Sequence, residues 1–186
     1  MEPFDAYFDF TCRFANRLHL WRGRLDVDVE WHPFSLLEAK RGDDGPAVWE
    51  REQHAGNISL LMLAGHEVVV DHGGDAATYR SRVFAAWHGG DERLDASSVL
   101  AHMRHAGVDT DQDDLRGGLD LVGQRHRSAV ARGVFGSSTI VFASDRGSFV
   151  RFAGIPSVDH AGDILAALRT IADRAPELDH LEPLRT

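Results

Sequence analysis

Between Phe4 and Trp21 the hydrophobic period changes once, and one residue stands at the change. Phe4, Tyr7, Phe8 and Phe10 belong to an aromatic-rich run of strand type. From Cys12 onward Phe14, Leu18 and Trp21 recur at helical spacing, with Arg13, Arg17 and Arg22 between them. A strand therefore runs straight into a helix, and Cys12, the only cysteine among 186 residues, occupies the seam. Unpaired N–H groups and the positive end of the helix dipole favour an anion there. Thiolate is the nucleophilic form of cysteine, so Cys12 is a candidate nucleophile. Arg13 adds to that field if its side chain folds back, and Asp9 opposes it if its carboxylate faces the thiol. The competing reading is a buried, inert cysteine, since free Cys is among the most buried residue types.

Downstream, Arg22-Gly23-Arg24 stops the helix, and Leu25 to Phe34 returns to alternation. Leu25, Val27, Val29 and Trp31 fall on one face, with Asp26, Asp28, Glu30 and His32 on the other, and Pro33 ends or edges the strand. Strand, helix and strand with a short return make a βαβ unit, so the two strands should be parallel. From 47 to about 132 the spacing predicts helices over Val48–Ala64, Ala76–His88, Ala96–Ala106 and Leu119–Arg132, broken at Gly65, Gly73-Gly74, Gly89-Gly90, Gly107 and Gly117-Gly118. Glu67 to Asp71 is the one strand candidate in this region. Asp95 is a helix cap candidate, as are Asp109 and Asp111 for a turn before the fourth helix. Ser138–Phe142 and Ser148–Phe152, joined by Asp145-Arg146-Gly147, read as a hairpin. Asp159 can cap a last helix with Ile164, Leu165, Leu168 and Ile171 on its apolar face, followed by a tail over 176–186.

The acid surplus, a net charge of −9 with pI near 5.6, argues against a sequence-independent nucleic-acid binder. No apolar stretch approaches the ~18 residues of a membrane span. The start, MEPFDAYF, lacks a basic segment followed by an apolar one, so a cytoplasmic protein is expected. One cysteine fits a reducing compartment and excludes an intramolecular disulfide within one chain.

Eleven histidines invite a metal reading, and His102-x-x-His105 puts two imidazoles on one helical face. No third ligand at a recognisable spacing and no HExxH accompany them, so no metal site is expected. His32, at the end of the second strand, is placed on the same sheet edge as Cys12, where a structural role outweighs a catalytic one. Asn16, one turn past Cys12, is either a neighbour of the thiol or a surface polar residue. Neither a GxGxxG opening a helix nor a Walker pattern occurs. Trp49, Met62, Phe84 and Trp87 read as core of the helical segment, or as one wall of a cleft beside the sheet.

The segment Asp9 to Asn16, DFTCRFAN, resembles the active-site segment of the DsbA family of thioredoxin-fold proteins, where a strand and an Asp lead to CxxC at the start of a helix. Cys12 matches the nucleophilic cysteine, and Ala15 stands at the resolving one. Trp31-His32-Pro33-Phe34 is similar to the end of the family's second strand. Gly133 to Phe142, GVFGSSTIVF, resembles the motif GVxGVPTFVF, with Ser138 in place of a cis proline that faces the thiol. A cis peptide before serine costs about 2.5–4 kcal/mol, against under ~1 before proline, so a trans bond and an altered loop are expected. Ser137 and Ser138 would then bring two hydroxyls near Cys12, as donors to a thiolate or polar ligand or as plain turn residues.

The resemblance implies an α/β thioredoxin-like domain formed by 1–34 and 127–175, with a helical insertion over 35–126; the 2-hydroxychromene-2-carboxylate isomerases and kappa-class glutathione transferases share this layout. It implies a thiol-disulfide oxidoreductase or thiol transferase working through Cys12, with Arg13, Asn16, His32, Ser137 and Ser138 around the substrate or thiol. No permanently bound cofactor is expected. A low-molecular-weight thiol, glutathione or mycothiol, would be the co-substrate, and the partner a small thiol or electrophile or a protein disulfide. One alternative is a glutathione-dependent isomerase or transferase, in which the residue at Cys12 activates the thiol of bound glutathione. Another is a binding module that keeps the fold without the chemistry. A homodimer rests on the resemblance alone.

Overall fold

A computed structural model describes residues 2–42, 44–90 and 93–175. Its sheet is built outward from β1 (Phe4–Phe8), which pairs in parallel with β2 (Val29–Pro33) and antiparallel with β3 (Thr139–Phe142). β4 (Gly147–Phe149) completes the order β2-β1-β3-β4 by antiparallel pairing with β3. Between β1 and β2 runs α1 (Arg13–Arg22), with Leu18 and Trp21 fully buried. The expected parallel βαβ unit is thus present. Phe4↔Val29, Ala6↔Trp31 and Phe8↔Pro33 fix its register.

Alternation along β1 divides the core. Phe4, Ala6 and Phe8 join the large cluster shared with α1 and the helical segment, whereas Tyr7 joins Phe34, Ala129, Val134 and Val141 in a smaller one. Both faces of the sheet are therefore covered. The expected strand from Leu25 is shorter than its alternation suggests. β1 begins at Phe4 opposite Val29, so residues 25–28 lack a ladder partner beyond one Phe4 N–H to Asp28 C=O bond of 3.3 Å. Leu25 and Val27 are buried all the same.

After α2 (Leu36–Ala39) and two 3₁₀ turns come α3 (Ile58–Asp71), α4 (Ala76–Gly89), α5 (Ala96–His105) and α6 (Gln112–Ala131). Asn57, Asp75, Asp95 and Asp111 cap α3 to α6 through their side chains; Asp95 does so as expected, whereas Asp111, expected at a short turn ahead of a helix from Leu119, caps α6 itself, which starts at Gln112. Two expected breaks are absent. Gly65 lies inside α3, where a Cβ would collide with the Tyr79 hydroxyl; that hydroxyl donates to Met62 C=O at 2.8 Å. Glu67 to Asp71 consequently continues a helix and is no strand. Gly117 and Gly118 lie inside α6, and Gly118 lets α6 approach α3, because its missing Cβ would meet Ala64 C=O at 2.8 Å. Residue 127, where the sequence divides domains, falls within this helix. The 3₁₀ turn Val158–His160 takes up Asp159, so α7 (Ala161–Arg174) starts after it with His160 at the cap. The expected tail, 176–186, lies outside the described residues. Among them no helix is long and apolar enough to cross a membrane.

Candidate functional site

Cys12 is the N-cap residue of α1, with extended backbone angles (φ −82°, ψ 113°). Its N–H donates to Asp9 C=O at 3.0 Å, and its C=O accepts from Asn16 N–H at 3.1 Å. The thiol faces the loop before β3, where its S–H donates to Ser137 C=O at 3.4 Å. With 7% of its surface accessible, Cys12 is buried among the residues of the larger core cluster. Ala15, at the resolving position, is fully buried.

The loop bearing Ser137 is tied down on both sides. Ser137 Oγ accepts from Asp9 N–H at 2.9 Å, Ser138 Oγ donates to Val150 C=O at 2.7 Å, and Val150 N–H returns a bond to Ser138 C=O at 2.8 Å. Thr139 Oγ1 closes the turn on Gly136 C=O at 2.7 Å. Contrary to the sequence expectation, the Ser137–Ser138 peptide is cis. The local hydrogen bonds above hold Ser138, just before β3, against Val150, just after β4, a contact that the isolated dipeptide preference does not include. The hydroxyls are also placed differently from expectation: they bond to Asp9 and Val150, and it is the backbone carbonyl of Ser137 that meets the thiol.

Asp9 is the residue that sequence reasoning undervalued. Its carboxylate is fully buried and turned away from Cys12: Oδ1 accepts from Thr11 N–H and Oγ1–H at 2.8 and 2.6 Å, and Oδ2 from Leu36 N–H at 2.8 Å. Burial pushes this carboxyl above its usual value, against the pull of those hydrogen bonds. One side chain thereby joins the end of β1, the approach to α1 and the start of α2. The Asp of the DFTC segment was the available signal.

Of the other predicted residues, Arg13 is exposed and its guanidinium lies 4.8 Å from the Phe14 ring centre, leaving Cys12 without that neighbour. Asn16 is half-buried one turn along α1. His88, unflagged in sequence, reaches from α4 to donate through Nε2 to Phe10 C=O at 2.9 Å; burial lowers its pKa. Arg17 donates to Phe152 C=O at 2.7 Å, fastening α1 to the chain after β4.

His32 is not brought to the thiol. It stacks on Tyr7 at 5.0 Å, and its Nε2 lies 3.6 Å from Asp5 and 3.7 Å from Glu30. The three are the one trio of metal-type donors among the described residues, and Arg132 already holds Asp5 through a 2.6 Å ion pair and Tyr7 at 2.7 Å. His102 and His105 separate: His102 is buried and accepts from Arg82 at 3.4 Å, and His105 is exposed.

No family model and no curated relative matches the sequence. Solved structures do match. A probable DsbA oxidoreductase from Streptomyces coelicolor is 14% identical, covers 100% of this chain and 94% of its own, and has a TM-score of 0.60. The cytosolic disulfide reductase DsbM from Pseudomonas aeruginosa, also solved with GSH, is 14% identical over 91% of this chain and 100% of its own (TM-score 0.56). A 2-hydroxychromene-2-carboxylate isomerase is 19% identical over 96% and 100%, with a TM-score of 0.55. The chain has the DsbA-like thioredoxin fold.

Proposed function

We propose that this DsbA-like thioredoxin-fold chain is a thiol-disulfide oxidoreductase or thiol transferase that works with Cys12 alone. The observation that carries the reading is the place of the sulfur, at the N-cap of α1 and 3.4 Å from the backbone of Ser137. In the reaction, Cys12 as thiolate attacks one sulfur of a disulfide; a Cys12–S bond forms, the S–S bond breaks, and the departing thiolate carries the electron pair. Because Ala15 cannot displace the adduct, a low-molecular-weight thiol attacks it, regenerating Cys12 and leaving as a new disulfide. Glutathione or mycothiol fits that role, and the structure of DsbM with GSH supports a small thiol partner. A reducing cytoplasm would supply the thiol, and the lack of a second cysteine suits that compartment.

A second reading is favoured by the S–H bond to Ser137 and the 7% exposure: Cys12 holds and orients the thiol of bound glutathione without bonding to it, as in a glutathione-dependent isomerase. Intact-mass analysis after incubation with oxidised glutathione or mycothiol disulfide separates the two. A single adduct that is absent in Cys12→Ser and released by the free thiol is expected. A thiol that stays unmodified while the protein binds glutathione replaces the first reading with the second, and a chain that does neither is left as a binding module.

A further inference from the structure

At the other end of α1, about 15 Å from Cys12 by helix rise, a cavity opens between α1, β2 and α4. Its volume is about 300 Å³, the low end of small-ligand sites. Arg22, Arg80, His19, Ser81 and Leu20 line it, and Trp31 forms an aromatic wall with the Arg80 guanidinium 5.3 Å from its ring.

The charge in this cavity is unbalanced. The chain carries 29 acidic against 20 basic residues, yet among the described residues no carboxylate lies within ion-pair distance of Arg22 or Arg80. The nearest acid acting on Arg80, Asp75, has its carboxylate engaged by the N–H groups of Ala77 and Thr78 and by the Thr78 hydroxyl at the cap of α4. Arg80 gives Nη1 to His66 Nε2 at 3.0 Å, and its buried Nε has no partner. Burial and the facing charge of Arg22 lower the Arg80 pKa to about 10, and burial with both arginines takes His19 down to about 4. Ser81 donates its hydroxyl proton to Ala77 C=O at 2.9 Å, so His19 Nε2 donates to Ser81 Oγ at 3.2 Å and leaves Nδ1 buried without a partner. Two like charges facing a cavity, with the Arg80 Nε–H beside them unpaired, destabilise one another until an anion enters.

We infer that this cavity binds a small organic oxyanion, its carboxylate or phosphate between Arg22 and Arg80 and its planar or apolar part against Trp31 and Leu20. The site is independent of the thiol chemistry at Cys12. Paired guanidinium groups suit both headgroups, since each offers a flat fork of donors to two oxygens.

The test is isothermal titration of the full chain at pH 7 with benzoate and with phenyl phosphate, which share a ring and differ in headgroup, and with neutral benzamide. Saturable one-site binding of at least one anion is expected, weakened roughly tenfold or more in both Arg80→Gln and Arg22→Gln and unchanged in Cys12→Ser. The tighter anion identifies the headgroup. Arg22 is only partly buried, so Arg22→Gln tests the site even where Arg80→Gln unfolds the protein. The inference is overturned by no saturation up to about 10 mM of either anion, by binding that Arg22→Gln leaves unaltered, by equal binding of benzamide, or by loss of binding in Cys12→Ser.

Discussion

Asp9 and Ser137 are 128 positions apart in the chain, and the buried N–H of Asp9 donates to Ser137 Oγ at 2.9 Å. Through this bond the end of β1, which leads into Cys12, is fixed to the loop whose carbonyl receives the thiol proton. Ser137→Ala leaves the buried Asp9 N–H without an acceptor and should lower the unfolding free energy by about 1–3 kcal/mol. The carbonyl facing Cys12 stays, so the adduct of the mass experiment should still form. Urea unfolding of the variant checks the first point; unchanged stability would mean that water or a shifted loop satisfies Asp9.

Ala15→Cys should convert the one-cysteine site to a two-cysteine one. Positions three apart at the start of a helix face each other, and their Cα separation falls within the reach of a disulfide. Ala15 is fully buried, so the added sulfur is expected to cost about 1–3 kcal/mol of stability. After treatment with oxidised glutathione the variant should lose two hydrogens and carry no lasting adduct, whereas the parent keeps the adduct. A mixed disulfide that persists equally in both proteins would show that the two side chains do not meet.

Local pattern reveals much of this fold, and contacts between distant segments account for what it misses. The change of period at Cys12 and the cap at Asp95 are readable because each depends on neighbours within one element, and the parallel β1–β2 pair follows from the short helical return between the two strands. Gly65 and Gly118 look like breakers in isolation; in the protein they are where Tyr79 and the Ala64 carbonyl come close. The approach of Ser137 to Cys12 spans 125 positions and enters the sequence reading only through the family resemblance. That resemblance could not supply the partners of Ser137 and Ser138, because Asp9 and Val150 act through backbone groups that carry no residue signature. His32 was misplaced for a related reason: strand alternation put it on the right face, but Asp5, brought beside it by the β1–β2 register, determines its company.

The two adjacent glycines of α6 give opposite predictions. An added Cβ at Gly118 would lie 2.8 Å from Ala64 C=O and from Val68 Cγ2, so Gly118→Ala forces α3 and α6 apart and should destabilise by about 1–3 kcal/mol despite the better helix propensity of alanine. At Gly117 nothing lies within 4 Å, and Gly117→Ala should stabilise by about 0.5–1 kcal/mol. Guanidinium unfolding of both variants decides it. Equal effects of the same sign would contradict the close α3–α6 contact.

His66 sets the last prediction, a loss of stability in mild acid. Its ring is buried, with Arg80 donating to Nε2 at 3.0 Å, so the neutral ring keeps its proton on Nδ1 and donates to Glu67 at 3.1 Å; Glu67 in turn accepts from Arg125 at 2.8 Å. A second proton would set an N–H against the Arg80 donor. Burial pushes the His66 pKa below 6.5, with Glu67 opposing, and burial also lowers His19, to about 4, and His126 and His88. For each, the unfolded chain binds the proton more readily, so stability is complete above pH 6.5 and falls as pH drops below it, by up to about 1.4 kcal/mol per pH unit per histidine. Asp9, whose carboxyl is raised, acts with the opposite sign, and Glu67, whose carboxyl is lowered, contributes near and below 4.5. Urea unfolding at pH 7.5 and 5.5 spans the range in which the histidines act, and His66→Gln separates its share from that of Asp9: glutamine can accept from Arg80 and donate to Glu67 without titrating. The parent should lose stability between the two pH values, and the variant should lose about 1 kcal/mol less over that interval. Equal slopes in both proteins would place the proton uptake elsewhere, and a parent more stable at pH 5.5 would reverse the sign on which the argument depends.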